Sequence, residues 1–477
     1  MNTNTQTVDA QHSVLERRLT GAQISMIGLA GALGTGLFLG SSSTIAFGGP
    51  ATFLSYAISG ILALIVVWEM AEMVSVHPVP GGFGAVARAY VGPMGGYVLR
   101  WNMLVTFVIA IGAEVTASAT YLQHWIPGLP LWVGTVLCAA LIVTLNLLTV
   151  KLYGSSEYWF SMIKVIAIVV FIVLGLCLIL FGWPSPNPPM GFGNLTAHGG
   201  FAPNGISGIL IAACIAVFSF GGLENVAVAA AEAENPTRDV PKAAHNMIMR
   251  LLLFYVVAIA VVVTLEPWDE IVKSGSEVSA SPFVRVMDLV GIPAAGHIMN
   301  AILIVAALSA ANGLVYASSR MIHSLAMDGQ APKLASHTAE NGTPRIAILF
   351  VTIGIAVTAS LAIFTPDTAF FYLAGCATIG TLVGWVLISY THIKFRSYRA
   401  KKVAAGETVT QAPAKLWGAP FTPCLVIVAA VAIYAALLWP MPEVWVVGWP
   451  YMVVLVGSYF ILKKVRGVPE QKSLQLS

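Results

Sequence analysis

The sequence predicts an all-α polytopic membrane protein with about twelve membrane-spanning helices. Charged residues make up only 9% of the 477 residues and hydrophobic residues 57%, whereas about 25% of a soluble protein is charged. The apolar residues form long continuous segments, and about 20 such residues are enough to cross the hydrocarbon core as a helix. Two of these segments carry glycine clusters at their centres, which indicates interrupted helices.

The predicted spans follow one another along the chain and are separated by loops. They cover residues 21–46, 50–76, 94–122, 130–149, 155–182, 206–232, 245–266, 292–326, 345–364, 367–394, 420–438 and 444–464. A short surface helix is predicted at 276–290. The polar residues 1–20 lack the apolar core of a signal peptide, so we expect them to form a tail outside the membrane.

Lysine and arginine residues predict the orientation of the spans, because cytoplasmic loops are enriched in both. Of the 24 such residues, only Lys273 and Arg285 fall in loops on one side, and Lys164 falls well inside a span. The others lie in the tails, in loops on the opposite side or at helix ends. We therefore expect both termini, including residues 466–477, on the cytoplasmic side of the membrane.

Composition and motifs argue against several other functions. A net charge of +3 gives no indication of a nucleic-acid partner. The five cysteines include no CxxC pair and the nine histidines show no metal-ligand spacing, so we expect neither a disulfide framework nor a metal site. No Walker motif, cofactor motif or nucleophile–base pattern occurs, which disfavours ATP-driven transport and a membrane enzyme.

The first span contains an unusual cluster of small residues at its centre, formed by Gly31, Gly34, Thr35 and Gly36. Glycine costs about 1 kcal/mol per helix position relative to alanine, so propensity does not explain the cluster. One interpretation is close helix packing, since Gly36 and Gly40 have GxxxG spacing. The other is a break in the helix that exposes backbone groups to a cavity or a ligand.

The sixth span contains a second interruption, Phe-Ser-Phe-Gly-Gly-Leu-Glu at residues 218–224. Gly36 and Gly222 are 186 residues apart, and each opens a block of five predicted helices. Because five is odd, the two blocks enter the membrane from opposite sides, as in transporters with inverted repeats and a midplane site. The predicted organisation is a tail (1–20), two inverted repeats (21–182 and 206–395), a final helix pair (419–465) and a second tail (466–477).

The ends of the half-helices predict what such a site would bind. The second half of the first span begins near Thr35 and Gly36, where free N–H groups and the helix dipole favour a carboxylate. The first half ends near Leu33 and Gly34 with unpaired carbonyls, and the sixth span offers more at 218–220, which suit an ammonium. This combination fits a zwitterion, most simply an α-amino acid.

Three ionisable residues lie well inside predicted spans, namely Glu114, Lys164 and Glu224. A charge at the bilayer centre costs at least about 2.5–3.5 kcal/mol, so such residues are functional by default. Desolvation favours the neutral form of a lysine, so Lys164 could exchange a proton as the cavity opens to each side. For Lys164 the alternatives are snorkelling or an ion pair with Glu114 or Glu224. For Glu224 the alternative is an ion pair that only holds helices together, and for Glu114 it is a structural hydrogen bond.

Four further residues are weaker candidates. Phe218 and Phe220 flank the expected cavity and could gate it, although aromatic core packing explains their positions equally well. Ser309 and Asn312 in the eighth span could line the site or act as interhelical hydrogen-bonding groups.

These motifs resemble those of the amino acid permeases of the amino acid–polyamine–organocation superfamily, in particular the bacterial permeases for aromatic amino acids, proline and γ-aminobutyrate. The resemblance covers about residues 14–465. Its motifs are Gly34–Ser41, Gly48–Pro50, Glu157–Phe160, Ile163–Val165, Phe218–Glu224, Ala231–Pro236, Ser281–Phe283 and Ser318–Met321.

The resemblance implies a LeuT-like fold of ten core helices plus two, in the cytoplasmic membrane of a bacterium, that imports an amino acid with protons by alternating access. It implies that Lys164 takes the place of a sodium ion of sodium-coupled relatives, and that Phe218 is the substrate gate. The expected substrate-binding residues are Leu33, Gly34, Thr35, Gly36, Phe218, Ser219, Phe220, Gly221, Gly222 and Glu224. The expected proton-coupling residues are Lys164, Glu114 and Glu224, with protons as the coupling ion and no cofactor.

Substrate choice does not follow from the resemblance. Many relatives have an aromatic residue shortly after the Trp101–Asn102 pair, where this chain has Met103 and Leu104. The pocket is otherwise apolar, and Gly221 and Gly222 leave room in it, so we expect a neutral amino acid.

The leading hypothesis is therefore a proton-coupled amino acid symporter. The nearest rival is an exchanger of amino acids or amines without net proton coupling, and Lys164 favours the symporter because an exchanger needs no titrating group. Short tails disfavour a substrate sensor with a transporter fold. Two central breaks of opposite polarity favour an occluded site over a channel. The sequence leaves the oligomeric state open.

Overall fold

The computed structural model describes residues 19–147, 150–185, 188–273, 281–339, 342–366, 368–438 and 442–467. These residues form α-helices joined by turns, and the described part of the chain contains no β-strand. Among these residues, one isolated backbone bridge joins Leu19 to Ala233. It fixes the start of the first helix beside the end of the sixth span, because the Leu19 amide donates to the Glu232 carbonyl at 2.9 Å.

The helices are numbered here in chain order. They are α1 (Gly21–Ala32), α2 (Thr35–Phe38), α3 (Ser41–Gly48), α4 (Thr52–Val76), α5 (Gly82–Tyr90), α6 (Pro93–Gln123), α7 (Leu131–Asn146), α8 (Val150–Phe181), α9 (Asn194–Ala197), α10 (Gly205–Ala216), α11 (Asn225–Ala229), α12 (Pro236–Leu265), α13 (Trp268–Lys273), α14 (Pro282–Leu289), α15 (Ala295–Met327), α16 (Arg345–Ala359), α17 (Leu361–Phe364), α18 (Ala369–Ala404), α19 (Phe421–Ala436) and α20 (Pro442–Arg466).

Within the described residues, eight helical stretches are long and apolar enough to cross a membrane. They are Ser41–Val76, Pro93–Gln123, Tyr153–Phe181, Gly205–Glu232, Pro236–Leu265, Ala295–Met327, Arg345–Phe364 and Ala369–Ala404. Three shorter apolar helices, α1, α7 and α19, add to them. The prediction of an all-α polytopic membrane protein is therefore confirmed.

The first predicted span is interrupted at the expected place. Helix α1 ends at Ala32, Leu33 leaves the helical conformation with φ −78° and ψ 68°, and Gly34 is extended. Helix α2 begins at Thr35, so the chain resumes its helical course after two residues.

The sixth predicted span is interrupted as well. Helix α10 runs into a 3₁₀ turn at Val217–Phe220, and Gly222 then adopts φ +90°, a conformation that favours glycine. Helix α11 begins at Asn225. Both glycine clusters thus correspond to real breaks in the helices.

Several predicted helix boundaries were wrong. Helix α12 begins at Pro236 rather than residue 245, and α18 continues to Ala404 rather than ending at 394. Apolar length marks only the part of a helix that lies in hydrocarbon, so polar turns beyond it are missed. Helix α5 was predicted as part of a loop because it is too short to span. The surface helix predicted at 276–290 is present as Pro282–Leu289, and residues 274–280 lie outside the described part.

Helix α5 also contributes to a buried charged cluster. Its Arg88 and Arg100 of α6 both pair with Asp328, at 3.0 and 2.8 Å. Around the interrupted helices, α6 packs along both α15 and α18, and α12 packs along α4 and α1. These helices bring side chains from distant parts of the sequence to the two breaks.

Candidate substrate and proton-coupling site

The two interrupted helices touch each other in the buried interior. A Cβ atom added to Gly222 would lie 2.5 Å from the carbonyl oxygen of Gly31, and one added to Gly36 would lie 2.6 Å from the Cα atom of Ser219. Only glycine permits such a close backbone approach. The glycines therefore fit both interpretations that the sequence left open, since they lie at helix breaks and also allow close packing.

Lys164 reaches the first break from α8. Its ammonium nitrogen donates hydrogen bonds to the carbonyl oxygens of Ala30 at 2.8 Å and Leu33 at 3.2 Å. Such carbonyls at the C-terminal end of a helix lack partners within the helix, and the helix dipole favours a cation there. Lys164 is 0% exposed, so its side chain does not extend to the protein surface.

Glu114 lies at the other side of the first break. Its two carboxylate oxygens accept a shared hydrogen bond from the backbone amide of Thr35, at 3.1 and 3.2 Å. Thr35 is the first residue of α2, and its amide has no partner within the helix. Glu114 thus binds the Thr35 amide, which is also the donor that the sequence predicts for the substrate carboxylate.

Glu157, on α8, is a second buried carboxylate in this region after Glu114 of α6. The sequence did not identify it as a site residue. It accepts a hydrogen bond from the hydroxyl of Ser309 at 2.7 Å and another from the side-chain amide of Asn312. Both partners lie on α15. Asn146 of α7 in turn donates to the amide oxygen of Asn312 at 2.6 Å. Ser309 and Asn312 therefore join α15 to the Glu157 carboxylate of α8, and Asn312 extends the link to α7.

One sequence signal could have identified Glu157. It precedes Lys164 by seven residues, about two helical turns, which places both side chains on the same face of α8. In the structure Lys164 interacts electrostatically with Glu157 and, less strongly, with Glu114. Of the two ion-pair partners that the sequence suggested for Lys164, Glu114 is one of these neighbours, whereas Glu224 accepts hydrogen bonds from the Gly222 amide and the Trp385 indole.

Two tyrosines hold the breaks together, and neither was predicted. The hydroxyl of Tyr255, on α12, lies 2.5 Å from the carbonyl oxygen of Ala32 and 2.8 Å from that of Ser219. The hydroxyl of Tyr56, on α4, donates to the Gly36 carbonyl at 3.4 Å. Both tyrosines lie in apolar helices without a local motif, so only tertiary packing reveals their role.

Glu224 forms hydrogen bonds within the second break. Its carboxylate accepts a hydrogen bond from the backbone amide of Gly222 at 3.0 Å and one from the indole nitrogen of Trp385 at 3.1 Å. Trp385 lies on α18 and is buried. The contacts of Glu224 therefore stabilise the turn at 221–224, and its role toward a substrate or a proton stays a prediction.

Phe218 and Phe220 point to different surroundings. Phe218 lines a small cavity of about 30 Å³ together with Gly36 and Phe370, and its ring centroid lies 6.2 Å from that of Phe370. Phe220 is buried, with its ring 4.9 Å from that of Tyr255. Only Phe218 is thus placed beside open space, as a gate requires, and the gating role itself stays a prediction.

Comparison with known proteins identifies the family. The sequence model described as amino acid permease matches residues 23–456. The chain belongs to the amino acid permease family. The match confirms the predicted membership of the amino acid–polyamine–organocation superfamily.

Relatives of this amino acid permease are similar over almost their whole length. The aromatic amino acid transport protein of Escherichia coli is 37% identical over 450 residues, which cover 94% of this chain and 96% of that protein. The probable threonine/serine transporter of Bacillus subtilis is 34% identical, covering 94% and 95%. The γ-aminobutyric acid permease of the same organism is 35% identical, covering 90% and 89%. The family establishes amino acid transport by a multi-pass membrane protein.

Proposed function

We propose that this permease is a secondary active transporter that imports a neutral amino acid together with protons by alternating access. The observation that supports this most directly is the contact of the Lys164 ammonium with the Ala30 and Leu33 carbonyls. A protonated Lys164 holds these two carbonyls at the first break. Loss of its proton removes a charge from that break, so protonation is linked to the geometry of the substrate site.

The breaks supply the binding groups for the substrate. The backbone at Gly34–Gly36 binds its carboxylate and the carbonyls at 218–220 bind its ammonium, with Phe218 as the gate. Leu33, Gly221, Gly222 and Glu224 complete the site, and Glu114 and Glu224 assist proton coupling.

The neutral character of the substrate rests on two observations. The relatives are named for aromatic amino acids, threonine or serine, and γ-aminobutyrate, which carry no charged group besides one ammonium and one carboxylate. The cavity beside Phe218 is lined mainly by aromatic and small residues. We further propose that the protein lies in the bacterial cytoplasmic membrane with both termini in the cytoplasm, as its basic residues indicate.

Uptake into proteoliposomes tests the proposal. Purified native protein and Lys164→Ala are given the twenty labelled standard amino acids and γ-aminobutyrate in turn, with and without an inward proton gradient. A gradient of one pH unit supports about tenfold accumulation if one proton accompanies each substrate. We expect accumulation by the native protein, and only exchange against internal amino acid by Lys164→Ala. Lys273→Ala, which removes an exposed lysine, should match the native protein.

Exchange activity serves as the control for folding of the Lys164 variant. Native protein that ignores the gradient and requires internal amino acid would be an exchanger, and the proposal would be wrong. Gradient-driven accumulation by Lys164→Ala would place the coupling proton elsewhere.

A further inference from the structure

We propose that Glu157 is a positioning residue for proton coupling, in which its carboxylate holds the charge of Lys164 and transmits its loss to α15 and α7. The inference rests on the proposed function in one respect, the role of Lys164 as the coupling group. Glu157 acts through Lys164 and through hydrogen bonds, without touching the substrate.

Two hydrogen-bond donors and a nearby buried cation surround the carboxylate of Glu157. The side chain is 0% exposed and accepts hydrogen bonds from two neutral donors, the Ser309 hydroxyl and the Asn312 amide. Donors favour the charged form of a carboxylate. A buried charge also requires a partner, and Lys164 is the buried cation with which Glu157 interacts electrostatically.

The hydrogen bonds of Glu157 connect the charge pair to two other helices. Asn312 donates to Glu157 and accepts from Asn146, so α8, α15 and α7 share one polar chain. In a dry interior, each link of such a chain depends on the charge at its end. When Lys164 loses its proton, Glu157 is left as an uncompensated anion, and we expect α8 and α15 to shift relative to each other.

Other titratable groups face this pair and must be considered. Glu114, on α6, is the second carboxylate that interacts with Lys164, and Tyr153, on α8, interacts with Glu157. Glu114 is already held by the Thr35 amide on the opposite side of the break. Glu157 is the carboxylate whose hydrogen bonds lead from Lys164 to α15.

The test measures the pH dependence of uptake for Glu157→Gln. The probe is the labelled amino acid that the native protein accumulates most strongly in the assay above. Without the carboxylate, the Lys164 ammonium is less favoured, so the pH at half-maximal uptake should fall by about one unit. Glu69→Gln is the matched control, because it replaces a buried carboxyl group that accepts from the Ser389 hydroxyl at 2.7 Å, in α4 rather than α8.

A second variant separates charge from packing. In Glu157→Gln combined with Asn312→Asp, the amide and the carboxylate exchange positions across the α8–α15 contact. The pH midpoint should return toward the native value, and exchange activity confirms that both variants fold.

An unchanged midpoint in Glu157→Gln, or a midpoint that stays shifted in the double variant, would overturn the inference. Loss of exchange in both variants would assign Glu157 a purely structural role, which also overturns it. Each of these results is distinct from a failure of the proposed function, which would appear as native protein that ignores the proton gradient. Gradient-driven accumulation by Lys164→Ala would instead remove the premise that Lys164 is the coupling group.

Discussion

The backbones of Gly31 and Gly222 are in contact where the two interrupted helices cross. A Cβ atom on Gly222 would lie 2.5 Å from the Gly31 carbonyl oxygen and 2.7 Å from its carbonyl carbon. Each of the two glycines lies at or beside the break in its own helix. Neither backbone can therefore move aside without distorting a break. The contact therefore fixes the relative position of the donor and acceptor groups at the two breaks.

Gly222→Ala should destabilise the protein and abolish uptake. Alanine at φ +90° carries backbone strain of about 1–3 kcal/mol, and its Cβ would overlap Gly31. The thermal unfolding midpoint in detergent and the initial rate of uptake measure the two effects. The control is Gly457→Ala in α20, where an added Cβ would have nothing within 4 Å. Native stability in Gly222→Ala would contradict the contact.

Tyr255→Phe should slow transport, and the fall in rate should exceed what its loss of stability alone would cause. The variant removes the hydroxyl that lies 2.5 Å from the Ala32 carbonyl and 2.8 Å from the Ser219 carbonyl. A buried carbonyl left without a donor costs about 1–3 kcal/mol, and here the loss falls on both breaks. We expect a fall of about tenfold or more in the initial rate of uptake.

Tyr97→Phe is the matched control for this variant. The Tyr97 hydroxyl lies 2.9 Å from the Ser458 hydroxyl and joins α6 to α20, away from the breaks. Its loss should reduce stability by a similar amount and leave the rate of uptake close to native. Equal rates for the two variants would show that Tyr255 only supports packing.

The sequence indicated the breaks but not the side chains that complete them. Glycine clusters are visible locally, because glycine within a span contradicts helix propensity. The partners of the breaks come from distant helices, as in the contact of Glu114 with Thr35, 79 residues away. Tertiary packing sets these pairs, and a single sequence contains no record of which helix faces which.

For the charged residues too, the sequence predicted the position but not the contacts. Their burial inside spans was predictable from position, since Lys164 and Glu224 lie far from either end of a span. Their partners were not. Glu224 was expected to face a substrate, a proton or an ion-pair partner, and it contacts the Gly222 amide and the Trp385 indole. The Glu224 carboxylate lies only two residues from the Gly222 amide, so a local hydrogen bond competes with any more distant partner.

Glu114→Gln should make substrate affinity less dependent on pH. The Glu114 carboxylate occupies the Thr35 amide, and an anion there repels the carboxylate of an incoming amino acid. Native affinity should therefore fall as pH rises, whereas the neutral amide of glutamine removes the repulsion and still accepts from Thr35. Binding of the transported amino acid to detergent-solubilised protein across a pH series measures this. If the affinities of the native protein and of Glu114→Gln change with pH in the same way, Glu114 does not act on the site that binds the substrate carboxylate.

His77 should make the protein less stable in mild acid. It lies just beyond α4, and its ring nitrogen Nε2 is 2.8 Å from the Tyr90 hydroxyl. Burial, with a smaller contribution from the positive charge of Arg399, lowers the pKa of His77 from 6.5 to about 4. The folded protein thus binds fewer protons here than the unfolded chain between these two values.

The sign of the effect follows from this difference. As the pH falls through 6.5, the unfolded chain gains a proton that the folded protein takes up only near its pKa of about 4, so the free energy of unfolding falls. At about pH 5 the loss amounts to at most about 2 kcal/mol. His77→Gln should lose less stability than the native protein between about pH 7.5 and 5, when thermal midpoints are compared in detergent. The control is His337→Gln, which replaces an exposed histidine and should lose stability with pH as the native protein does. If His77→Gln loses as much stability in acid as the native protein, groups other than His77 cause the acid sensitivity.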